Sequence, residues 1–439
     1  MRREEVAYFG AGPAPLPTPV LEKGAAAFVN YEGSGLGLAE ISHRSSTATR
    51  ILDETKKALI SLLDIPDNYE ILFLHGGGSG EFSAVVFNMV AVWVEKRRRR
   101  AKEELGDNDE AILLKVREEL KRSLRLDFLV TGSWSLKASQ EAAQLLEPLG
   151  QNFVNVALDA REANGGKFGA IPPEDTWKLT PPGTNTGCGS AFVYYCDNET
   201  VDGVEFPSFP KSLEPQAGED ERLVVADMSS NFISRRVQIS DYAVIFGGAQ
   251  KNIGFSILKN LSGITDVTLA IVRKDILTTI PSPSFLHQVG VWSPPTILNW
   301  SVISKNNSLY NTMPIFSIWI AGEVMRGLLS AHGNSKVAGQ EDVSNAKAET
   351  IYRILDANPQ VYQPVNHKSV RSRMNICFRV LDTATEKEFL EGAEARMLQG
   401  LKGHRSVGGI RASNYNAVPM ANVQKLAEYL SDFARAKSS

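Results

Sequence analysis

Lys251 has the clearest chemical potential in this sequence of 439 residues. It stands just past the apolar, partly β-branched run 242–246 and is hemmed in by Gly247, Gly248, Gln250, Asn252 and Gly254. Such a run reads as a buried strand, and open α/β sheets place their ligands at strand ends. A lysine desolvated there loses its proton readily and can attack a carbonyl to form a Schiff base. About twenty residues upstream a second apolar run, 223–227, ends in Asp227, a separation that suits a short connection and one strand. A Schiff-base lysine and a carboxylate for a pyridinium nitrogen are the pair that pyridoxal phosphate requires. Plainer readings stand beside this one: a lysine on a surface loop, and an aspartate capping the Ser229-Ser230-Asn231 turn.

Other groups could serve the same crevice. The strand-like run 69–74 feeds His75-Gly76-Gly77-Gly78-Ser79-Gly80 and then an amphipathic stretch, 81–94. Strand, glycine loop and helix start form a phosphate cradle, since glycines let backbone N–H groups approach an anion; a tight turn would look the same. The Gly-Lys-Ser/Thr ending of a Walker loop is missing. Trp134 follows the run 127–131 and could lie flat on a planar ligand or simply fill core. Thr200 follows the run 191–195 and could bond a phenolate oxygen or close a turn. His43-Arg44 among hydroxyls, and His404, Arg405 and Arg411 on a glycine-rich stretch, are donor sets suited to oxyanions.

These groups need an α/β frame to bring them together, and the chain supplies the pattern. Strand-like runs also occur at 153–157, 267–272 and 372–380, with helical spacing at 51–63, 136–146, 315–329, 344–358, 386–400 and 423–435. Residues 9–20 hold too much Gly and Pro for helix or central strand and read as an extended arm. Gly33-Ser34-Gly35-Leu36-Gly37 has neither the spacing nor the preceding strand of a dinucleotide loop. Residues 95–126, with the basic block 96–100 offset by Glu103, Glu104, Asp107, Asp109 and Glu110, read as a charged, partly amphipathic surface insertion.

The length suggests roughly two or three domains. Charged residues at 22%, hydrophobic ones at 43% and a net charge of -3 describe an ordinary globular protein and suggest neither nucleic acid nor an anionic membrane as partner. Cys188, Cys196 and Cys377 are too few and too scattered for a disulfide frame or a zinc site, so no metal and a reducing compartment are expected. The first residues resemble neither a secretory signal nor a transit peptide, and no apolar run approaches bilayer length, so a cytoplasmic location is expected.

Taken in order, Gly76-Gly77-Gly78-Ser79-Gly80-Glu81-Phe82, Gly132-Ser133-Trp134, Asn198-Glu199-Thr200, the stretch from Ala226-Asp227 to Asn231, Gly248-Ala249-Gln250-Lys251-Asn252, Tyr310-Asn311-Thr312 and the stretch from Gly403-His404-Arg405 to Arg411 resemble the phosphoserine aminotransferases. The match runs along nearly the whole chain and is specific in combination, though most pieces are weak alone. It implies a fold-type-I α/β enzyme dependent on pyridoxal 5′-phosphate and built as a homodimer. An arm, 1–19, would pack with a smaller α+β C-terminal domain, 321–439. The large domain, 20–320, would hold a mainly parallel seven-stranded sheet and carry the helical insertion 95–126. Lys251 would hold the cofactor and move the proton, Asp227 would keep its ring nitrogen protonated, Trp134 would stack on the ring and Thr200 would bond its phenolic oxygen. Gly78, Ser79 and Gln250 would hold the phosphate, with Asn311 and Thr312 reaching in from the other subunit. Arg411 would take the substrate α-carboxylate. His404 and Arg405, with His43 and Arg44 of the neighbour, would take the second anion.

The implied reaction is the reversible exchange of an amino group between L-glutamate and 3-phosphohydroxypyruvate, a ping-pong step of serine biosynthesis. Both substrates carry an anion at each end, so one pocket serves both, and charge-assisted bonds favour the phosphate dianion. The chain departs from the family pattern at Ser79, where many bacterial members have Arg, at Glu81, where Gln is usual, and at Met313, where Pro is usual. Rival readings are an alanine–glyoxylate aminotransferase, a cysteine desulfurase, a catalytically retired homologue, or a nucleic-acid binder using the block 96–100. Paired anion receptors speak against an alanine donor, and intact Lys251 and Asp227 against a retired homologue.

Overall fold

The computed structural model describes residues 2–150, 152–182, 189–214, 221–254 and 267–438; Cys188 lies outside them. Twelve strands run in chain order: β1 Ala7–Tyr8, β2 Tyr69–Leu74, β3 Leu126–Val130, β4 Val154–Asp159, β5 Phe192–Cys196, β6 Val224–Asp227, β7 Val244–Gly248, β8 Thr268–Arg273, β9 Tyr362–Pro364, β10 Asn375–Val380, β11 Leu398–Gln399 and β12 Ile410–Ser413. Seven of them form one sheet in the order β2-β8-β7-β6-β5-β3-β4, parallel except for β8, which pairs antiparallel with both neighbours. This is the mainly parallel seven-stranded sheet that the family resemblance implied.

The sheet is buried on both faces, and its side chains alternate between two cores with the strand period of two. Phe73, Leu129, Tyr195, Val224, Ala226 and Ile245 face one core, together with helix α2, Ser46–Leu63, and the helix Ile315–His332. Leu72, Phe128, Tyr194, Val225, Val244 and Phe246 face the other, together with α3, Gly77–Leu105, α4, Asp109–Ser123, and α5, Ser133–Leu146. Near-continuous apolar strands are what a doubly covered parallel sheet needs. Helix α1, Thr18–Val29, lies against the helix Ile315–His332, with Phe28 and Phe316 edge to face at 5.4 Å between ring centres.

A smaller C-terminal domain is built on the antiparallel sheet β12-β10-β9, with a core of Ile351, Leu355, Ile376, Phe378, Phe389, Leu426 and Leu430. The start of the chain joins it: β1 pairs with β11, and Ala7 and Phe9 lie in that core. No helix among the described residues is long and apolar enough to cross a membrane.

Two expectations change. The Pro-rich start is an arm only as far as Pro17, because Pro19 sits in the first turn of α1, where a missing N–H costs nothing. The stretch 95–126 is not a surface appendage. Helix α3 continues to Leu105, β3 already begins at Leu126, and Ile112, Val116 and Leu120 are buried against the sheet core. The basic block is largely neutralised within the helix: buried Glu95 accepts from Arg98 at 2.7 Å and Arg99 at 2.8 Å, and the Arg97 guanidinium lies 4.8 Å from the Trp93 ring centre.

Candidate active site

Register places the chemistry along one edge of the sheet. Cys196, Asp227 and Phe246 stand level across β5, β6 and β7, so the segments leaving these strands emerge side by side. The carboxyl ends of β2 and β3 lead on the same side into Gly76-Gly77-Gly78 and Gly132-Ser133-Trp134. Five strand ends thus enclose a cavity of about 560 Å3 lined by Gly78, Ser79, Trp134, Thr200, Asp227 and Lys251, with Gln250, Tyr194 and Cys196 also in its wall. Open parallel sheets bind ligands at this edge for the same topological reason.

Lys251 follows β7 directly, and its Nζ donates to the Thr200 hydroxyl at 2.7 Å. Burial lowers its pKa to about 8 against the opposing pull of Asp227, so near neutral pH it gives up its proton far more easily than an exposed lysine. Asp227 ends β6, and its Oδ1 accepts from the Ser229 N–H at 2.8 Å and the Ser229 hydroxyl at 2.5 Å. Burial raises its pKa, while those bonds and Lys251 pull the other way. Asp227 therefore caps the turn, an arrangement compatible with a second role for its other oxygen.

Thr200 joins two side chains. Its hydroxyl receives Lys251, while its carbonyl accepts from the Arg411 guanidinium at 3.2 Å. Arg411 lies on β12 of the small domain, and its Nε is buried without a hydrogen-bond partner among the described residues. With His404 it lines a second cavity of about 600 Å3. His404 bonds Ser406 at 2.7 Å, and its pKa is lowered by burial and by Arg411, Lys137 and Arg405. Arg405 is exposed and lines neither cavity.

Helix α3 starts at the cradle. Gly76 caps it at φ 105° and Gly77 follows at φ 61°, conformations that disfavour side chains, so Gly78 and Ser79 present first-turn N–H groups with no intrahelical acceptor. Glu81 points elsewhere: it is fully buried, accepts from Trp300 at 3.1 Å, and burial pushes its pKa to about 8. That departure from the family pattern does not reach the cavity wall. The Gln250 carbonyl accepts from Ala14 at 3.0 Å, so the N-terminal arm packs beside Lys251.

His43, Arg44, Asn311 and Thr312 line neither cavity of their own chain. His43 and Arg44 precede α2, and Asn311 and Thr312 precede the helix Ile315–His332, which packs along α2 with the Thr55 hydroxyl donating to the Ile318 carbonyl at 3.3 Å. His43 Nε2 and Asn311 Nδ2 are both buried without a partner among the described residues.

Two carboxylates at the site had no role assigned from sequence, Glu199 and Asp202, which take the N–H groups at the start of α5. A signal was present: Gly132 stands at the cap position with no side chain to satisfy those donors.

The residues present fit pyridoxal 5′-phosphate. The cavity combines an amine of lowered pKa, a buried carboxylate, an indole, a hydroxyl and a helix N-terminus, which match in turn an aldehyde, a ring nitrogen, a flat ring, a phenolic oxygen and a phosphate. No cluster of metal-ligating side chains occurs among the described residues.

Comparison with known proteins agrees. The Aminotransferase class-V family pattern matches residues 6–103 and 152–426. The phosphoserine aminotransferase of Saccharomyces cerevisiae is 41% identical over 99% of this chain and 98% of its own. The solved structure of phosphoserine aminotransferase from Bacillus circulans superposes with a TM-score of 0.77 at 30% identity, covering 98% of each chain. The phosphoserine aminotransferase of Trichomonas vaginalis, solved with PLP bound, gives a TM-score of 0.75 at 32% identity over 97% of this chain and 99% of its own. The chain belongs to the class-V aminotransferases and, among them, to the phosphoserine aminotransferases.

Proposed function

We propose that the chain exchanges an amino group between L-glutamate and 3-phosphohydroxypyruvate, giving 2-oxoglutarate and O-phospho-L-serine. The observation that carries this reading is the Thr200 junction, which sets the amine of Lys251 and the guanidinium of Arg411 on one residue at 2.7 and 3.2 Å. An amino acid whose carboxylate is held by Arg411 then presents its Cα toward Lys251.

The bound cofactor supplies an electron sink for the pair left behind when the Cα–H bond breaks. Lys251 Nζ, with its lowered pKa, takes the proton from the substrate Cα as a base matched to neutral pH. Asp227 would accept from the cofactor's ring nitrogen, and a carboxylate there would favour the protonated, electron-accepting form of the ring. Trp134 would cover the ring face, Thr200 would hold the phenolic oxygen, and Gly78, Ser79 and Gln250 would hold the phosphate at the helix start. Arg411 fixes the α-carboxylate and His404 serves the distal carboxylate or phosphate; Arg405, outside both cavities in this structure, would have to turn inward to join it. With glutamate as donor, the purified protein should form 2-oxoglutarate about 10-fold or more faster with 3-phosphohydroxypyruvate than with hydroxypyruvate, given the stronger bonds of a dianion. Equal rates with both acceptors would refute the assignment.

The proposal includes a homodimer in which His43, Arg44, Asn311 and Thr312 serve the partner's site; the buried, unpartnered nitrogens of His43 and Asn311 and the shared position of all four before two packed helices support it. Co-expressed Lys251→Ala and Arg44→Ala chains, each nearly inactive alone, should recover about a quarter of the wild-type activity, because random pairing leaves one intact site in half the dimers. Confirmed heterodimers no more active than their parents would place Arg44 in its own chain's site. The arm, shortened to Pro17 by the start of α1, a large unit running to 320, a small unit of 321–439 and a cytoplasmic location complete the reading.

A further inference from the structure

The turn that leaves β5 does more than supply Thr200. On either side of it, Glu199 and Asp202 turn back to the start of α5, where Asp202 accepts from the Ser133 N–H at 2.6 Å. Glu199 accepts from the Trp134 N–H at 2.9 Å, the Ser135 N–H at 2.8 Å and the Ser135 hydroxyl at 2.6 Å. The Glu199 side chain is fully buried, whereas the Trp134 side chain it holds by the backbone is 41% exposed at the cavity mouth. The fit is close: a Cβ on Gly132 would come within 2.3 Å of Glu199 Cγ.

We propose that Glu199 is a positioning residue for the transamination, fixing the Trp134-bearing start of α5 to the Thr200 turn so that the stacking indole, the Lys251 amine and Arg411 share one rigid unit. This rests on the roles given above to Trp134, Thr200 and Lys251. The indole itself is met by the Lys137 amine, 4.5 Å from its ring centre, so the backbone bonds from Glu199 and Asp202 are what set the height of the helix start that carries both. A wall displaced by about 1 Å can cost about 100-fold in rate without touching the reacting atoms. The two carboxylates also occupy the N–H groups of α5, which would otherwise compete with Arg411 for substrate anions.

Burial and Asp202 push the Glu199 pKa up to about 7, and once ionised Glu199 adds a small pull that raises the proton affinity of Lys251 against the effect of burial. The titratable groups that bear on Glu199 or on this pair are Asp202 in the same turn, Tyr194 and Cys196 at the end of β5, Asp227 at the end of β6 and Arg411 on β12. Above its raised pKa, where Glu199 is ionised, removing its charge should therefore move the pH midpoint of the cofactor-linked visible spectrum downward, which loss of packing alone would not do.

The test compares Glu199→Gln, which keeps one acceptor oxygen, with Glu199→Ala in the holoenzyme. We expect kcat to fall about 10-fold and about 100-fold respectively, with KM for glutamate within about 3-fold of wild type. In the cofactor-free protein, iodide quenching assigned to Trp134 by difference from the Trp134→Phe background should change in both variants. If Glu199→Ala does not fold, Glu199→Gln carries the test. Wild-type kcat, Trp134 quenching and spectral midpoint in folded Glu199→Gln would overturn the proposal, as would a lowered Tm with unchanged kcat per folded site. If wild type itself does not transaminate, the functional reading fails, while the quenching comparison still decides whether Glu199 places Trp134.

Discussion

Lys251→Ala should lose turnover by about 10^4-fold or more, since one substitution removes both the covalent anchor and the base. The visible absorbance of the lysine-linked cofactor should vanish with it, and full turnover in this variant would sink the whole account. Stability should move the other way. Burial lowers the Lys251 pKa from 10.5 to about 8, so between those values the unfolded chain binds more protons than the folded one. Stability therefore rises with pH across that window, and the burden of a buried ammonium is greatest below it. Cofactor-free Lys251→Met should melt above cofactor-free wild type at pH 7, and the gap should narrow toward pH 10. A lower Tm at pH 7 would show that the ammonium is well paired in the empty site.

Asp227→Ala should lower kcat by about 10^2- to 10^3-fold, the scale of a single preorganised electrostatic group. KM for glutamate should change little, because Arg411 and not Asp227 faces the substrate carboxylate. A fall in substrate affinity alone would mean the residue is misassigned. Burial raises the Asp227 pKa above 3.8, so above that value the folded chain binds more protons than the unfolded one and stability is lost as pH rises through the raised value. Burial outweighs the Ser229 hydrogen bonds and the pull of Lys251, so the ionised carboxylate weakens the fold. Cofactor-free Asp227→Asn should accordingly be no less stable than wild type at pH 7, the usual relation between a strained functional group and stability.

The strands carrying the site were legible because a doubly covered parallel sheet needs short, near-continuous apolar runs, and Asp227 and Lys251 break two of them at their carboxyl ends. Neighbouring position in sequence then became neighbouring position in space through the level register of β5, β6 and β7. What local pattern could not show was satisfaction from a distance. The donors at the start of α5 are met by Glu199 and Asp202, more than sixty residues away, and the glycine at the cap was the only local trace. Helix α3 was cut short at the basic block because charge masked the buried positions of Glu95, Arg97 and Ala101. Arg405 looked equivalent to His404 and Arg411 in sequence, yet it turns outward while they line the second cavity.

The claim at the centre is that the amine at the Thr200 junction carries the cofactor. Borohydride reduction of the holoenzyme, followed by digestion and mass mapping, tests it without reference to turnover. The account predicts one pyridoxyl phosphate adduct per chain, on the peptide containing Lys251, and none in Lys251→Ala. An adduct on another lysine of the cavity wall, such as Lys137, or an unmodified Lys251 in an enzyme that still transaminates, would contradict it.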